Sequence, residues 1–454
     1  MNYKEYFKGK KITLMGLGLL GRGVGDAEFL AECGADLIVT DLKKKEDLEE
    51  SLSRLSDFKN ITYVLGEHRL EDFKNRDLII KAAGVPLDSS YIAEAKKNNI
   101  PVRMSADLFA ELSGAPIVGI TGTRGKSTVT HLIAHILKAD GREVLLGGNV
   151  RGVSNLSLLK EARQNTIAVF ELDSWQLQGF GEAKISPSVA VFTTFMSDHM
   201  NYYKNDTSTS LSAGMALYFA DKANIFLHQK PDDIFILGEQ TVSSLKEYGY
   251  DKKVKAHTII AGAKNLPKEW KLQILGEHNR MNAGVAIATT EALGVDRDVI
   301  QKAVESFKGV SGRLELVREL NGVKIYNDTT ATTPDATIAA LKALSSPSTG
   351  SGQNPNIVLI LGGADKGLDM SKLIAELPNH CKEVLLLPGT GTERIKDDLS
   401  KYTIYRIFSD AVAEAVRIAE KGDIVLLSPA FASKGMFQNE YDRGDQFVEL
   451  VNGL

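Results

Sequence analysis

Cysteine is nearly absent from this sequence, because its 454 residues contain only two, Cys33 and Cys381, far apart in the chain. Two distant cysteines form neither a paired-cysteine metal site nor a disulfide framework, so we expect free thiols in a reducing compartment. Long apolar runs are also missing, and the N-terminal stretch MNYKEYFKGKK lacks the apolar core of a signal peptide. We therefore expect a cytoplasmic protein without membrane insertion.

A strong excess of charge of either sign is missing too. The net charge is −4, and the short basic cluster at 43–45 is followed by acids, as on a solvated face. This balance argues against nucleic acid as a partner. The apolar fraction of 43% is ordinary for a globular protein, and at roughly 150 residues per domain the length predicts two to three domains.

Short apolar strands alternate with helical stretches along the chain, which predicts parallel sheets with crossover helices. We predict an α/β protein of three domains. Residues 1–106 would form an N-terminal Rossmann-like domain, residues 107–309 a central domain with a P-loop ATPase-like parallel sheet, and residues 310–454 a C-terminal Rossmann-like domain. The predicted strands are 12–15, 35–41, 77–80, 100–102, 115–121, 143–146, 167–170, 188–192, 323–326, 357–361, 383–387 and 423–427.

The stretch GITGTRGKST, residues 119–128, lies between a predicted strand and a predicted helix. A turn of this kind offers backbone N–H groups to phosphate, while its lysine reaches the terminal phosphates and its serine holds Mg²⁺. Ile120 stands where the usual pattern has its first glycine, so we predict a phosphate site with an altered entrance. The residues assigned to this site are Gly122, Thr123, Gly125, Lys126, Ser127 and Thr128.

A second glycine pattern, Gly16-x-Gly18-x-x-Gly21, is followed by Asp41 at the spacing of a dinucleotide fingerprint. This pattern fits an NAD-dependent oxidoreductase. It fits equally well a binding site for any nucleotide diphosphate, including a UDP-sugar. It also fits a tight strand-to-helix turn that binds no ligand.

Polar residues follow two strands near the phosphate loop. Glu171 ends one strand where a Mg²⁺ ligand belongs, although a solvated helix start capped by Asp173 or Ser174 is an alternative. His199 follows the next strand through a short turn, a position that favours an active-site role. Asn279 precedes an apolar helix and either faces a ligand or caps that helix.

Two loops of the third predicted domain, 361–367 and 428–437, also follow strands. The carboxyl ends of parallel strands are where open α/β sheets bind ligands. Neither loop alone specifies a chemistry.

Together these stretches resemble the Mur ligase family, the ATP-dependent amide-forming enzymes of peptidoglycan synthesis. The phosphate loop of that family reads Thr-Gly-Thr-x-Gly-Lys-Ser/Thr, and residues 121–127 match it without the first glycine of the usual pattern. Matching stretches occur in all three predicted domains. They are 147–149, 171–177, 198–199, 276–282, 312–315, 327–328, 428–433 and 443–444.

The resemblance implies an ATP- and Mg²⁺-dependent ligase whose substrates are UDP-N-acetylmuramoyl-L-alanine and D-glutamate, and we expect a monomer. Another amino acid, such as L-glutamate, or a folylpolyglutamate-type ligase remains an alternative. A P-loop switch protein without ligation is a more distant one. The implied contacts of the UDP substrate are Leu19, Leu20, Asp41 and Asn149.

The resemblance also implies roles for individual residues. Lys222 falls where the family has a lysine carbamylated by CO₂, whose carbamate holds Mg²⁺. The implied catalytic residues are Lys126, Glu171, His199 and Lys222, and the implied metal ligands are Ser127, Glu171, His199 and Lys222. Further nucleotide contacts would be Asn279, Arg313 and Asp328, and the amino-acid pocket would contain Thr332, Lys366, Ser433 and Phe437.

The sequence departs from the family pattern at several positions outside the phosphate loop. Thr330 stands where lysine is frequent, and Glu440 stands where we expect an aromatic residue. The stretch 200–202 and the Ala-Ala-Gly at 82–84, where Ser-Pro-Gly is typical, also differ. These departures bear on the choice of substrate rather than on the ligase chemistry.

Overall fold

The structure of the protein, a computed structural model, describes residues 2–18, 21–203, 210–345 and 356–454, without the side chains of Asn201 and Leu211. By its internal contacts the chain divides into two compact units. One comprises Met1–Lys268 and Met281–Val304, and the other Glu269–Arg280 and Glu305–Leu454.

The first sheet has five parallel strands in the order β3-β2-β1-β4-β5. Its strand order reverses beside β1, which is the position where open α/β sheets form a ligand crevice. The strands are β1 Lys11–Met15, β2 Asp36–Asp41, β3 Ile61–Leu65, β4 Leu78–Lys81 and β5 Val102–Arg103. The helices are α1 Tyr3–Phe7, α2 Arg22–Glu32, α3 Glu49–Arg54, α4 Ser90–Lys97 and α5 Ser105–Leu112.

The second sheet has six parallel strands in the order β11-β10-β9-β6-β8-β7. Every residue of β6 is buried, because helices cover both faces of a parallel sheet. The strands are β6 Ile117–Thr121, β7 Val144–Gly148, β8 Ile167–Glu171, β9 Val189–Phe192, β10 Ile234–Gly238 and β11 His257–Ala261. The helices are α6 Lys126–Ala139, α7 Ser174–Ala183, α8 Met200–Tyr203, α9 Leu211–Ala223, α10 Val242–Glu247, α11 Glu277–Ala292 and α12 Arg297–Ser306.

The third sheet has six strands in the order β12-β13-β17-β14-β15-β16, and only its edge pair β12–β13 is antiparallel. The strands are β12 Glu315–Leu320, β13 Val323–Asn327, β14 Ile357–Gly362, β15 Cys381–Leu387, β16 Thr403–Ile404 and β17 Ile424–Leu427. The helices are α13 Pro334–Leu344, α14 Ser371–His380, α15 Thr390–Ile395, α16 Phe408–Ile418 and α17 Glu440–Gly453.

The predicted α/β fold with three largely parallel sheets is confirmed, and every predicted strand is present within a few residues. The strands β3, β10, β11, β12 and β16 were not predicted. The stretch SSPSTGSGQNPN at 345–356, which its polar composition predicts to be a loop, lies almost entirely outside the described residues. In the part of the chain that the structure describes, no helix is both long and apolar enough to cross a membrane.

Candidate functional site

A glycine-rich loop joins β6 to α6 at the centre of the second sheet. Gly122 and Gly125 have φ angles of 148° and 85°, which side chains rarely adopt. A Cβ atom at Gly122 would lie 2.0 Å from the Thr193 hydroxyl, and one at Gly125 would lie 2.3 Å from the Asn282 amide oxygen. No side chain caps α6, so the loop and the helix N-terminus form a natural anion site.

The segment that follows β9 braces this loop. The Thr194 hydroxyl accepts from the Arg124 N–H at 2.9 Å, and the Thr193 hydroxyl donates to the Arg124 carbonyl at 2.6 Å. The Thr123 hydroxyl donates to the Met196 carbonyl and accepts from the Met196 N–H, both at 3.1 Å. Thr123 therefore fixes the loop, and its expected contact with a nucleotide stays a prediction. Sequence reasoning missed Thr193 and Thr194, although they follow a strand beside the phosphate loop.

Two lysines converge on the same loop. Lys126 Nζ donates to the carbonyls of Gly122 and Thr123 at 3.0 and 3.3 Å, and Lys222 Nζ donates to the Gly122 carbonyl at 2.9 Å. Only 1% of the Lys222 surface is exposed. Its burial, and secondly the nearby charge of Lys126, hold the pKa of Lys222 well below its usual range. The site therefore favours a neutral, nucleophilic amine at Lys222.

Two oxygen donors lie close to this loop in the fold. Glu171 is buried at the end of β8, in register with Ile120 on one side and Gly148 on the other. Ser127 is the second residue of α6 and is also buried. Oxygen donors suit Mg²⁺, whereas the ammonium of Lys222 does not, so Lys222 fits a metal site only as a carbamate. Within the described ranges, no group of three or more His, Cys, Asp or Glu residues could hold a metal.

His199 lies next to the loop with a φ of 57°, and its ring centroid is 4.9 Å from that of Trp175. Burial lowers the pKa of His199, and the charge of Asp198 offsets this in part. The imidazole nitrogen Nε2 lies 3.7 Å from the Asp198 carboxylate, which also accepts from Arg124 at 2.9 Å. A lowered pKa keeps the imidazole neutral near pH 7, as a general base requires.

A cavity of about 250 Å³ lies within the same unit, beside the glycine loop that follows β1. Asp41 lines it, and its carboxylate accepts from the N–H groups of Leu17 and Gly18 at 2.8 and 3.0 Å. Asp41 thus holds the backbone of the glycine loop in place. Leu19 and Leu20 lie outside the described residues.

Two contacts connect the first sheet with the second beside this cavity. The Asn149 side-chain oxygen accepts from Arg22 at 2.5 Å. The Asp26 carboxylate accepts from the Ser154 hydroxyl at 2.6 Å, and burial raises the pKa of Asp26 to about 6. Sequence reasoning predicted Asn149 but missed Arg22 and Asp26, which lie on a helix with no motif of their own.

In the second unit, Asp328 lies between the ends of neighbouring strands. Its carboxylate accepts from the Leu314 N–H at 3.0 Å and from the Ser428 hydroxyl at 2.9 Å, and burial raises its pKa to about 7. Arg313 is exposed. The buried Asn279 donates from its side chain to the Leu275 carbonyl at 2.8 Å. A nucleotide contact of these three residues stays a prediction.

The predicted amino-acid residues belong to neighbouring loops of the third sheet. Lys366 Nζ donates to the Thr332 hydroxyl at 2.8 Å. A bridge between Ala364 and Ala432 brings the loop of Lys366 beside that of Ser433, which is buried. The structure therefore groups Thr332 and Lys366 and sets the loop of Ser433 beside them.

Phe437 and Arg443 complete this end of the sheet. The Phe437 ring packs edge-on against Phe408 with 4.9 Å between centroids, so the ring contributes to a core cluster. The fully buried Arg443 donates to the Thr329 carbonyl at 2.8 Å and to the Phe431 carbonyl at 3.5 Å. Arg443 thereby links the loop of Thr332 to the loop of Ser433, a link that the sequence did not reveal.

Three α/β sheets, with a lysine-flanked phosphate loop in the central one, define a nucleotide-using enzyme. Three family models match the chain. They describe a Mur ligase MurD-like N-terminal domain at residues 10–104, a Mur ligase middle domain at residues 120–269, and a Mur ligase glutamate ligase domain at residues 312–431.

Relatives and solved structures agree with these matches. The UDP-N-acetylmuramoylalanine–D-glutamate ligase of Roseiflexus sp. (strain RS-1) is 37% identical, over 98% of this chain and 99% of its own. The UDP-N-acetylmuramate–alanine ligase of Thermotoga maritima has a TM-score of 0.63 at 19% identity, over 98% and 99% of the two chains. The MurF ligase of the same organism, in complex with ADP, has a TM-score of 0.59 at 19% identity, over 92% and 94%.

The chain therefore belongs to the Mur ligase family. It is an ATP-dependent ligase that forms amide bonds.

Proposed function

We propose that the protein joins D-glutamate to UDP-N-acetylmuramoylalanine with ATP, in the synthesis of a peptidoglycan precursor. The full-length relative bears the name of this reaction. The structural observation that supports it best is the convergence of Lys126 and Lys222 on the Gly122 carbonyl. A phosphate loop with two lysines suits the transfer of a phosphoryl group better than the hydride chemistry of an NAD enzyme.

We assign three domains to the reaction, with the boundaries 1–106, 107–309 and 310–454. Each of the three matched ranges falls inside one of them. The UDP-linked substrate would occupy the first, near Leu19, Leu20, Asp41 and Asn149, and the second would hold ATP. The third would hold the amino acid and supply Arg313 and Asp328 to the nucleotide, with Asn279 beside them.

In the first step, the terminal carboxylate of the UDP-linked substrate attacks the γ-phosphorus of ATP. The bond to the β–γ bridging oxygen breaks, ADP leaves, and an acyl phosphate forms. Lys126 and the N–H groups at the start of α6 neutralise the charge that develops on the phosphoryl oxygens. No side-chain nucleophile is needed, so the protein contributes position and charge.

Ser127, Glu171 and a carbamate on Lys222 would hold Mg²⁺, which neutralises phosphate charge when bound, and His199 would lie beside them. The neutral amine of Lys222 can add to CO₂, forming an N–C bond and releasing one proton. The product is an anion with two oxygen donors in place of a cation. Deep burial of Lys222 supports this assignment, because the same burial disfavours the ammonium form.

In the second step, the amine of D-glutamate attacks the carbonyl carbon of the acyl phosphate, and phosphate leaves. The amine must first lose a proton, and His199 is the base that we propose. Thr332, Lys366, Ser433 and Phe437 would line the amino-acid pocket. Lys366 offers a positive charge to one of the two carboxylates of glutamate.

We further propose that the protein acts as a monomer in the cytoplasm, on small molecules. The test is ATP-dependent phosphate release by the full chain, with UDP-N-acetylmuramoyl-L-alanine and a panel of amino acids. We expect release with D-glutamate and a loss of roughly 10²–10³ in rate for Lys126→Ala. Equal release with L-glutamate would contradict the stereochemical assignment, and undiminished release by Lys126→Ala would contradict the phosphate role.

A further inference from the structure

A buried lysine lines the cavity beside the glycine loop. Lys81 is the last residue of β4 and is only 3% exposed. Among the described residues, its ammonium makes one hydrogen bond, to the Val85 carbonyl at 2.9 Å, and no ion pair. An ammonium has three donors, so two remain for a ligand in the cavity that Lys81 lines.

Burial without a contacting carboxylate is unfavourable for a cation. It lowers the pKa of Lys81 to about 8, against the more distant charges of Asp173, Asp107 and Asp221. The fold therefore buries the charge of Lys81 without a compensating anion among its described contacts. An anion bound in the cavity would provide a charged hydrogen-bond acceptor for the Lys81 ammonium.

The cavity also has the features of a phosphate site. The N-cap of α2 is Gly21, and no side chain caps this 11-residue helix. Arg22, the first residue of the helix, lines the cavity together with Gly16 and Gly18. A Cβ atom at Gly16 would lie 2.8 Å from the Ala82 Cβ, so this loop approaches the turn after Lys81 closely.

The acids of the cavity are already engaged within the fold. Asp41 accepts from the backbone of the glycine loop, and Asp26 accepts from Ser154 and from the Leu156 N–H. Ala82, Ala83 and Gly84 follow Lys81 on its wall and carry no polar side chain. Lys81 is therefore the side-chain donor that this wall offers to a ligand.

We propose that Lys81 is a substrate-binding residue whose ammonium contacts the diphosphate of the UDP-linked substrate, in the cavity that Arg22 at the start of α2 also lines. This inference rests on the proposed function for the identity of the ligand. A charge-assisted hydrogen bond gives the lysine an anionic partner, and the uncapped N-terminus of α2 supplies backbone donors.

The test measures binding of UDP and of uridine to the full chain by calorimetry, without ATP or amino acid. Lys81→Met should weaken UDP binding by about 10- to 100-fold, the loss of a charge-assisted hydrogen bond. Uridine, which has no phosphate, should bind the variant as it binds the parent. Lys97→Met, an exposed lysine of α4 in the same domain, is the matched control and should change neither affinity.

Unchanged UDP affinity in a Lys81→Met variant that melts at the parental temperature would overturn the proposal. Equal losses for UDP and uridine would also overturn it, because they indicate a collapsed turn at 82–85 rather than a lost phosphate contact. If Lys81→Met does not fold, Lys81→Gln keeps N–H donors without the charge and should show the same selective loss. Calorimetry tests only the role of Lys81, because it measures no phosphate release. The proposed ligase reaction is tested separately, by the phosphate-release assay on the parent protein.

Discussion

Lys126 and Lys222 come from different helices, and both donate to the carbonyl oxygen of Gly122, at 3.0 and 2.9 Å. Two ammonium groups on one neutral acceptor repel each other. The pKa of the buried member, Lys222, is depressed, which favours its neutral, nucleophilic form. Burial thus gives Lys222 a different chemical character from an ordinary exposed lysine, although both side chains contact the same loop.

Lys222→Met should abolish the carbamate while it preserves the length and apolar contacts of the side chain. We expect kcat for phosphate release to fall by roughly 10²–10³, the typical loss when one electrostatic group of an active site is removed. Carbon-13 NMR of protein equilibrated with labelled bicarbonate should show a carbamate signal in the parent and none in the variant. A parent without this signal, or a variant with parental kcat, would refute the carbamate.

Gly122→Ala should disrupt the phosphate loop, because the new Cβ would lie 2.0 Å from the Thr193 hydroxyl and 2.9 Å from the Thr194 nitrogen. Overpacking of this kind lowers the free energy of unfolding by about 1–3 kcal/mol. We also expect the affinity for ATP to fall, because the loop that would bind its phosphates must shift. Urea denaturation and ATP calorimetry measure the two effects.

Gly141→Ala is the matched control for that prediction. Gly141 also has a positive φ, of 76°, but a Cβ atom added there would have no neighbouring atom within 4 Å. Backbone strain alone should then lower its stability and leave ATP binding intact. Equal ATP affinity in both variants would show that the contact with Thr193 is unimportant.

Lys366→Met should weaken the amino-acid site selectively. Lys366 donates to Thr332 at 2.8 Å, and we expect it to pair with a glutamate carboxylate when the substrate is bound. Loss of a charge-assisted hydrogen bond should raise KM for D-glutamate by about 10- to 100-fold. KM for ATP should stay constant, as should all constants of Lys372→Met, an exposed lysine of α14. A parallel rise in every KM would instead indicate general damage to the loop.

Asp328 should make stability depend on pH. Its pKa is raised from 3.8 to about 7 by burial, so between these values the folded protein holds a proton that the unfolded chain has lost. Unfolding then releases a proton, and the free energy of unfolding should fall as pH rises, by up to about 1.4 kcal/mol per unit.

Asp328→Asn should flatten this pH profile between pH 4.5 and 7, relative to the parent. Asp26 and Asp107, whose pKa values burial raises to about 6, contribute in the same direction and remain in both proteins. The exposed Asp397→Asn is the control, and urea denaturation across this range is the measurement. A variant profile as steep as the parental one would show that Asp328 is ionised in the folded state.

The sequence predicted the central strands because long apolar runs such as 357–361 have few alternatives to a buried parallel strand. Of the strands that it missed, β3, β11, β12 and β16 lie at sheet edges, where one side meets solvent, whereas β10 lies between β11 and β9. The strand β11, for example, begins with exposed His257 and Thr258, and such a mixture resembles a loop.

The site was predictable to the extent that its residues form contiguous motifs. Gly122 to Ser127 are consecutive, so the phosphate loop could be recognised directly. The residues around Lys222 form no such motif. A lysine on a helix is ordinarily exposed, and the burial of Lys222 results from the fold. Thr193 braces the loop since β9 lies beside β6, an adjacency that depends on strand order and not on spacing in the chain.

The hydrogen bonds from Ser154 to Asp26 and from Arg22 to Asn149 connect the first sheet to the second within one compact unit. If the UDP-linked substrate binds as proposed, the distance between its nucleotide and its reactive carboxylate must match the spacing between these two sheets. A sugar nucleotide with a longer or shorter linking arm would then bind by its nucleotide and leave its carboxylate away from the γ-phosphate.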